Sequence, residues 1–345
     1  MEIQSLFIKK FKSLDEVALY SPNPFSCFVG ANASGKSNIF EFLEFVSICN
    51  KTDIDEALRL FGDVSEFIPL SNKDDELDIE FKLNAGEAIP WIQLKFVKQR
   101  ENNSYQTGNL MSSNFGNFWH KYIYTDNNHT AAEKNIDNAD YKHFFNFSRI
   151  FVGNTKLVKQ NFQDDSKLNL VGSNLEKLLK RLLRDENKKN EMIEWLQLLI
   201  PGFEKIEIES SGSSDNLWIY EKGTNKPFQK NLISDGTFNL LCILAAVFQS
   251  EEPQFLCIEE PENGLNPKVI KELVNLFRQK CNEGHYIWLN THSQSLVSEL
   301  TTDEIILVDK VDGKTQVKQI KGMDLQGLKM DEALLTNSLG GGIPW

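Results

Sequence analysis

Gly30-Ala31-Asn32-Ala33-Ser34-Gly35-Lys36-Ser37 decides how this chain is read. The stretch fits GxxxxGK[ST] at every fixed position. Glycines there let the backbone wrap so that several N–H groups point inward at phosphate oxygens. Lys36 suits a bridge between two phosphates, and Ser37 offers a hydroxyl to Mg²⁺. The apolar run from Pro24 to Val29 predicts a strand before the loop. The run from Asn38 to Asn50 carries Ile39, Phe40, Phe42, Leu43, Phe45, Val46 and Ile48 and predicts a buried helix after it. That helix turns its positive end to the loop. Gly30, Asn32, Ala33, Ser34, Gly35, Lys36, Ser37 and Asn38 are therefore the candidate phosphate contacts, with ATP and Mg²⁺ as the expected ligands.

Working outward, the next informative stretch is Phe255-Leu256-Cys257-Ile258-Glu259-Glu260-Pro261-Glu262. Four apolar residues followed by acids place carboxylates at the carboxyl end of a buried strand, where an α/β sheet sets its ligand. Glu259 is the candidate Mg²⁺ holder, acting through water. Glu260 is the candidate base that orients or deprotonates the attacking water. Thr291-His292 closes a predicted strand, Tyr286 to Asn290, and His292 is the candidate γ-phosphate contact. The other four histidines carry only a structural reading. Ile233-Ser234-Asp235-Gly236-Thr237 opens an apolar helix, Phe238 to Phe248. A Ser and a Gly at a helix N-terminus suit an anion, although Ser also caps helices for structural reasons alone.

Beta-alpha alternation in the last 120 or so residues predicts an α/β fold with a mostly parallel sheet. Asn266-Pro267 reads as a helix start, and Asp312-Gly313 as the turn of a hairpin. Ser173-Asn174-Leu175-Glu176 has the form of a capping box before a leucine-striped helix. Residues 62–150 alternate differently and predict a β-rich insertion with a small sheet of its own, its middle a mobile loop. The expected organisation is 1–61, an N-terminal lobe; 62–150, the insertion; 151–205, a helical subdomain; and 206–345, a C-terminal lobe.

The net charge of −12 excludes a general nucleic-acid binder. DNA or RNA would have to meet a local basic surface, for which the run Lys177 to Lys189 is the candidate; a solvated helix face is the plainer reading. Aromatics of the insertion (Phe115, Phe118, Trp119, Tyr122, Tyr124, Phe144, Phe145, Phe147) suit a small core or a protein interface better than base stacking. No apolar run reaches the ~20 residues of a membrane span. The five cysteines form no CxxC pair, and four of them sit in apolar segments, which suits reduced, buried thiols in a cytosolic protein.

In this order, the motifs resemble the ABC-type P-loop ATPases of the SMC/RecF branch. Within that branch, Ser234-Asp235-Gly236-Thr237, Glu259-Glu260-Pro261-Glu262, Phe11-Lys12-Ser13-Leu14 and the tail Leu339-Gly340-Gly341 look most like the overcoming-lysogenization-defect (OLD) group and its stand-alone relatives. The resemblance covers about 1–60 and 165–345. It implies a nucleotide-sandwich homodimer or higher oligomer, in which Ser234 and Gly236 contact the γ-phosphate bound by the other subunit. Asn263 to Asn266 would then cross the interface, and Lys12 would lie near the phosphates. Glu259 stands where the wider pattern has Asp, and Asp235 where it has Gly, so slow hydrolysis is expected. Only 53 residues follow His292, too few for the Toprim nuclease domain of OLD-type nucleases. The implied role is an ATPase sensor in a defence or toxin-like system that controls a separate effector, such as a nuclease. A DNA-repair or chromosome-type ATPase is the alternative, disfavoured by the lack of sustained heptads.

Overall fold

The computed structural model describes residues 2–51, 54–61, 77–84, 92–101, 104–112, 123–124, 146–152, 166–212, 214–325, 327–336 and 339. The fold is α/β with a mixed, mostly parallel sheet. The chain divides into two compact units, 1–147 with 300–345, and 148–299.

In the first unit, β1 (Ser5–Phe11) and β2 (Leu14–Tyr20) form an antiparallel hairpin ahead of the predicted strand. β3 (Phe25–Val29) is wholly buried and leads through the glycine loop into α1 (Lys36–Lys51). α2 (Ile54–Phe61) follows. The core between them is phenylalanine-rich. Phe28 meets Phe40 edge-on at 5.4 Å, Phe11 meets Phe42 at 5.1 Å, and Phe45 meets Phe61 at 5.8 Å. Such ring pairs add specific geometry to ordinary area burial.

The strands of the expected insertion do not stand alone. β4 (Leu77–Asn84) pairs antiparallel with β1, and β5 (Ile92–Glu101), β6 (Ser104–Ser112) and β7 (Ile123–Tyr124) extend the same sheet in the order β2-β1-β4-β5-β6-β7. Phe81 of β4 faces Phe42 of α1 at 5.6 Å, so this sheet shares the first unit's core. The expected mobile loop, the histidines at 120, 129 and 143 and most of the insertion's aromatics lie outside the described residues.

The second unit begins at Ser148, within β8 (Phe147–Ile150), a fully buried strand. It then holds α3 (Leu175–Leu182), α4 (Glu186–Leu199) and an antiparallel sheet of β9 (Phe203–Ser211), β10 (Ser214–Glu221) and β11 (Phe228–Gln229). The Ser173 to Glu176 capping box is not formed. Asn174 is the N-cap of α3 and makes no side-chain cap bond. Its Oδ1 instead accepts from the Asn169 N–H, and Ser173 Oγ accepts from the Asn169 amide, so both polar side chains fold the preceding loop. α5 (Asp235–Phe248) is buried over most of its length. β12 (Phe255–Glu259) and β13 (Tyr286–Thr291) pair in parallel, as βα alternation requires, with α6 (Pro267–Asn282) between them in sequence. Asn266 caps α6 at the Val269 N–H, 3.1 Å away, with Pro267 in the first turn. The short α7 (Gln294–Val297) follows. Back in the first unit, β14 (Ile305–Val311) runs parallel to β3 and forms the predicted hairpin with β15 (Lys314–Gln319). The last helix described is α8 (Met330–Leu335).

The loop before α3 is held close to α5. Gly172 has φ +75°, and a Cβ there would sit 2.6 Å from the Cys242 sulfur. Gly172→Ala therefore meets both backbone strain and overpacking. The expected cost is about 1–3 kcal/mol, read as a lower urea midpoint with unchanged slope.

Candidate functional site

The phosphate loop of the first unit is shaped by what surrounds it. A Cβ at Gly30 would lie 2.0 Å from the Val308 carbonyl oxygen, and one at Gly35 would lie 2.0 Å from Thr315 Oγ1. Gly35 also holds φ +104°. Close packing thus requires both glycines, and at Gly35 the left-handed backbone requires one as well. The Lys36 ammonium is buried and donates to the Gly30 and Ala31 carbonyl oxygens at 2.7 and 2.8 Å. Ser34 Oγ is buried without a hydrogen-bond partner in the structure. A buried orphan hydroxyl costs free energy unless something fills its need, and a phosphate oxygen is a fitting acceptor.

The loop is braced from two distant segments. The Thr315 hydroxyl donates to the Ser34 carbonyl oxygen at 2.8 Å, and its N–H donates to the Ser13 carbonyl oxygen at the same distance. Ser13 Oγ lies 2.6 Å from Thr315 Oγ1 and accepts from the Asn38 amide at 2.8 Å. Asn38 therefore engages Ser13 by its side chain. Lys12 pairs with Glu41 of α1 at 2.7 Å, so its ammonium reaches the helix after the loop. Asn32 and Ala33 are exposed, and Ser37 is half-buried, at the start of α1.

The second unit holds the acids. Glu259 is 2% exposed and ends β12. Its Oε1 pairs with the guanidinium of Arg149, itself 7% exposed, with Nε at 2.6 Å. Its Oε2 accepts from the Asn290 amide at 3.0 Å. A carboxylate this deep needs such compensation, since an unpaired buried charge costs several kcal/mol. Arg149 went unnoticed in the sequence because nothing local marks it: it lies 110 residues from its partner.

Glu260 has φ +47°, a left-handed conformation rare for a non-glycine residue. The turn aims its carboxylate sideways. Oε1 lies 3.3 Å from His292 Nδ1, and Oε2 accepts from the Asn263 amide at 3.1 Å. The two candidate catalytic residues, Glu260 and His292, are therefore adjacent.

Ser234 is the N-cap of α5, accepting from the Thr237 N–H at 3.1 Å. Gly236 has a packing reason too, because a Cβ there would strike the Gly264 carbonyl oxygen at 2.1 Å. Asn239 donates to the Pro261 and Asn263 carbonyl oxygens at 3.1 and 2.9 Å. These contacts fasten the start of α5 to the loop after the acids. Asp235 is exposed in the first turn of α5, where the helix dipole favours an acid. The basic run at 177–189 is largely tied up. Lys180 pairs with Asp215, Lys188 with Glu251 and Lys189 with Glu186, while Arg181 donates to backbone carbonyls. That favours the plainer reading of this helix face.

Among the described residues, no group of three or more His, Cys, Asp or Glu side chains could hold a metal, and no helix is long and apolar enough to cross a membrane. Glu262 is a third acid, largely buried, bonded through Oε1 to the Thr291 hydroxyl. Burial pushes its carboxyl above the usual 4.5, and the Thr291 bond opposes this only in part. A carboxyl raised on folding holds its proton more tightly in the folded chain. Its contribution to stability is full at low pH and is lost as pH rises above about 4.5. Glu262→Gln should thus match wild type in Tm near about pH 4, gain on it as pH rises above about 4.5, and hold a constant lead once the folded-state carboxyl has ionised. A Tm difference that does not change as pH rises from about 4 would contradict the assignment.

Comparison with known proteins concerns family and fold. The energy-coupling factor transporter ATP-binding protein EcfA2 of Lactobacillus acidophilus is 27% identical over 123 residues, 36% of this chain and 35% of that protein. The same-named protein of Lactobacillus gasseri is 28% identical over 96 residues, 26% of this chain and 32% of that protein. The chain thus spans about a third of the length of the curated relatives it matches. Among solved structures, the Smc head bound to the C-winged helix domain of ScpA matches 95% of this chain and all of its own, with TM-score 0.57 at 15% identity. An Smc head with an extended coiled coil, bound to the C-terminal domain of ScpA derived from Pyrococcus furiosus, gives 0.56 at 15% identity, over 98% of this chain and 99% of that one. These likenesses are of fold. A family model described as "AAA domain, putative AbiEii toxin, Type IV TA system" matches residues 25–298. The chain belongs to that family, and with it to the AAA/ABC-type P-loop ATPases.

Proposed function

We propose that this chain binds ATP through Gly30–Ser37 and hydrolyses it with Glu260 as base, as a nucleotide-driven dimer switch. The observation that carries the reading is the phosphate loop: two glycines with no room for a Cβ, a buried lysine and the buried orphan hydroxyl of Ser34. Phosphate oxygens answer all three. Mg²⁺ would be held by Ser37 and by Glu259, whose oxygens are already bonded to Arg149 and Asn290, so that a water between acid and ion fits better than direct ligation. Bound there, the ion would neutralise charge on the transferring phosphoryl group. Glu260 orients or deprotonates the water, with His292 beside it to hold the γ-phosphate. Asp235 near a phosphate works against turnover, so slow hydrolysis is part of the proposal.

The family's description as a toxin of a toxin–antitoxin system supports a defence or toxin-like function. The resemblance to stand-alone OLD-type ATPases supports a cytoplasmic sensor that controls a separate effector protein. Ser234 and Gly236, bound to the loop at Asn263, would then meet ATP held by a second copy.

Lys36→Ala should abolish ATP binding, measured with a fluorescent analogue. Glu260→Gln should bind ATP yet lose hydrolysis by roughly 10²-fold or more. Wild-type turnover in that variant would remove Glu260 from the mechanism. Lys36→Ala and Ser234→Arg proteins, each inactive, should regain activity when mixed, because one site of a mixed dimer is whole. No recovery after proven mixing would rule out a shared site. The pure protein with ATP and Mg²⁺ or Mn²⁺ should leave plasmid, linear DNA and tRNA uncut. Salt-dependent binding to DNA ends by the ATPase alone would favour a DNA-repair role instead.

A further inference from the structure

Asn290 belongs to none of the motifs, yet it touches both acids. It sits opposite Glu259 in the β12–β13 register and is 1% exposed. Its Nδ2 donates to Glu259 Oε2 at 3.0 Å. The Glu260 N–H donates both to the Asn290 backbone carbonyl at 3.0 Å and to Asn290 Oδ1 at 3.2 Å. A carboxylate only accepts and a peptide N–H only donates, so a single orientation of the amide satisfies both partners. An apolar side chain at this position would remove a donor from Glu259 Oε2 and leave the Glu260 N–H with the backbone carbonyl of residue 290 as its acceptor there.

The shared N–H belongs to the residue at φ +47°. A non-glycine in that conformation persists only where its surroundings over-determine it. Asn290 supplies two of the determining contacts, and the direction of the Glu260 side chain depends on that backbone. We infer that Asn290 is a positioning residue for ATP hydrolysis: it locks the left-handed turn that aims Glu260 and holds Glu259 in register beside it. This rests on the reading of Glu260 as the base. Asn290 acts through the two acids.

Asn290→Leu keeps the volume and removes both side-chain bonds. The Kd for a fluorescent ATP analogue and the KM for ATP should stay within about threefold of wild type, while kcat falls about tenfold or more. In a Glu260→Gln background the same change should cost clearly less than in wild type, because the part that acts through the Glu260 carboxylate is already lost. Should the leucine variant fail to fold, Asn290→Ser, smaller and still polar, is read by the same criteria. A kcat within about twofold of wild type would overturn the inference. So would an equal loss in both backgrounds, or loss of nucleotide binding together with Tm in both variants, which marks an ordinary core residue. A wild-type protein without ATP turnover would instead sink the reading of Glu260 as base, on which this one stands.

Discussion

A phosphate-binding loop must keep its N–H groups turned inward without a helix or strand to hold them there. In this chain the restraint is the side chain of Thr315. Its hydroxyl takes the Ser34 carbonyl, its N–H takes the Ser13 carbonyl, and its bulk fills the space a Gly35 side chain would need. The hairpin of β14 and β15 exists, from the loop's point of view, to deliver that one residue. The turn between β1 and β2 completes the brace through Ser13, which also receives Asn38. Further from the loop, the Gln319 side chain both donates to and accepts from the Tyr20 backbone, keeping β15 beside β2.

The second unit solves a related problem with charge. Glu259 is buried at the end of an otherwise apolar strand, where an isolated carboxylate would be costly. Arg149 and Asn290 share its two oxygens, and Asn290 then reaches on to the backbone of Glu260. One acid is thereby neutralised and fixed. The next is left with its side chain between His292 and Asn263, in contact with groups that can release it.

The local signals in the sequence were the ones that survived. The glycine loop, the apolar strands around it, the Asn266-Pro267 helix start and the Asp312-Gly313 hairpin each depend on residues within a few positions. The β1–β2 hairpin escaped because its alternation breaks. Leu6 and Ile8 are buried in step, then Lys10 takes φ +57° and drops out of the pairing, so Phe11 returns to the core a residue late. Ser173 and Asn174 misled for another reason, since residues that cap helices also fold turns, and here Asn169 claimed both. Arg149 and Thr315 act across 110 and 281 residues, on Glu259 and Ser34, and no local pattern can announce them. The placing of Ser234 and Gly236 at the other subunit's phosphate, and of Lys12 near the phosphates, came only from family resemblance. The packing contact of Gly236 and the ion pair of Lys12 could be seen only in three dimensions.

The contact between Gly236 and Gly264 leaves no slack. Two backbones meet where a single methyl group would not fit, and Asn239 ties the same two segments with two further bonds. A joint of that kind behaves as a rigid coupling. A displacement of a few tenths of an ångström at the start of α5 has no cushion of side chains in which to dissipate, so it must carry the Asn263 loop with it. Asn263 is bonded to Glu260, so the joint at the start of α5 and the carboxylate share one short chain of contacts.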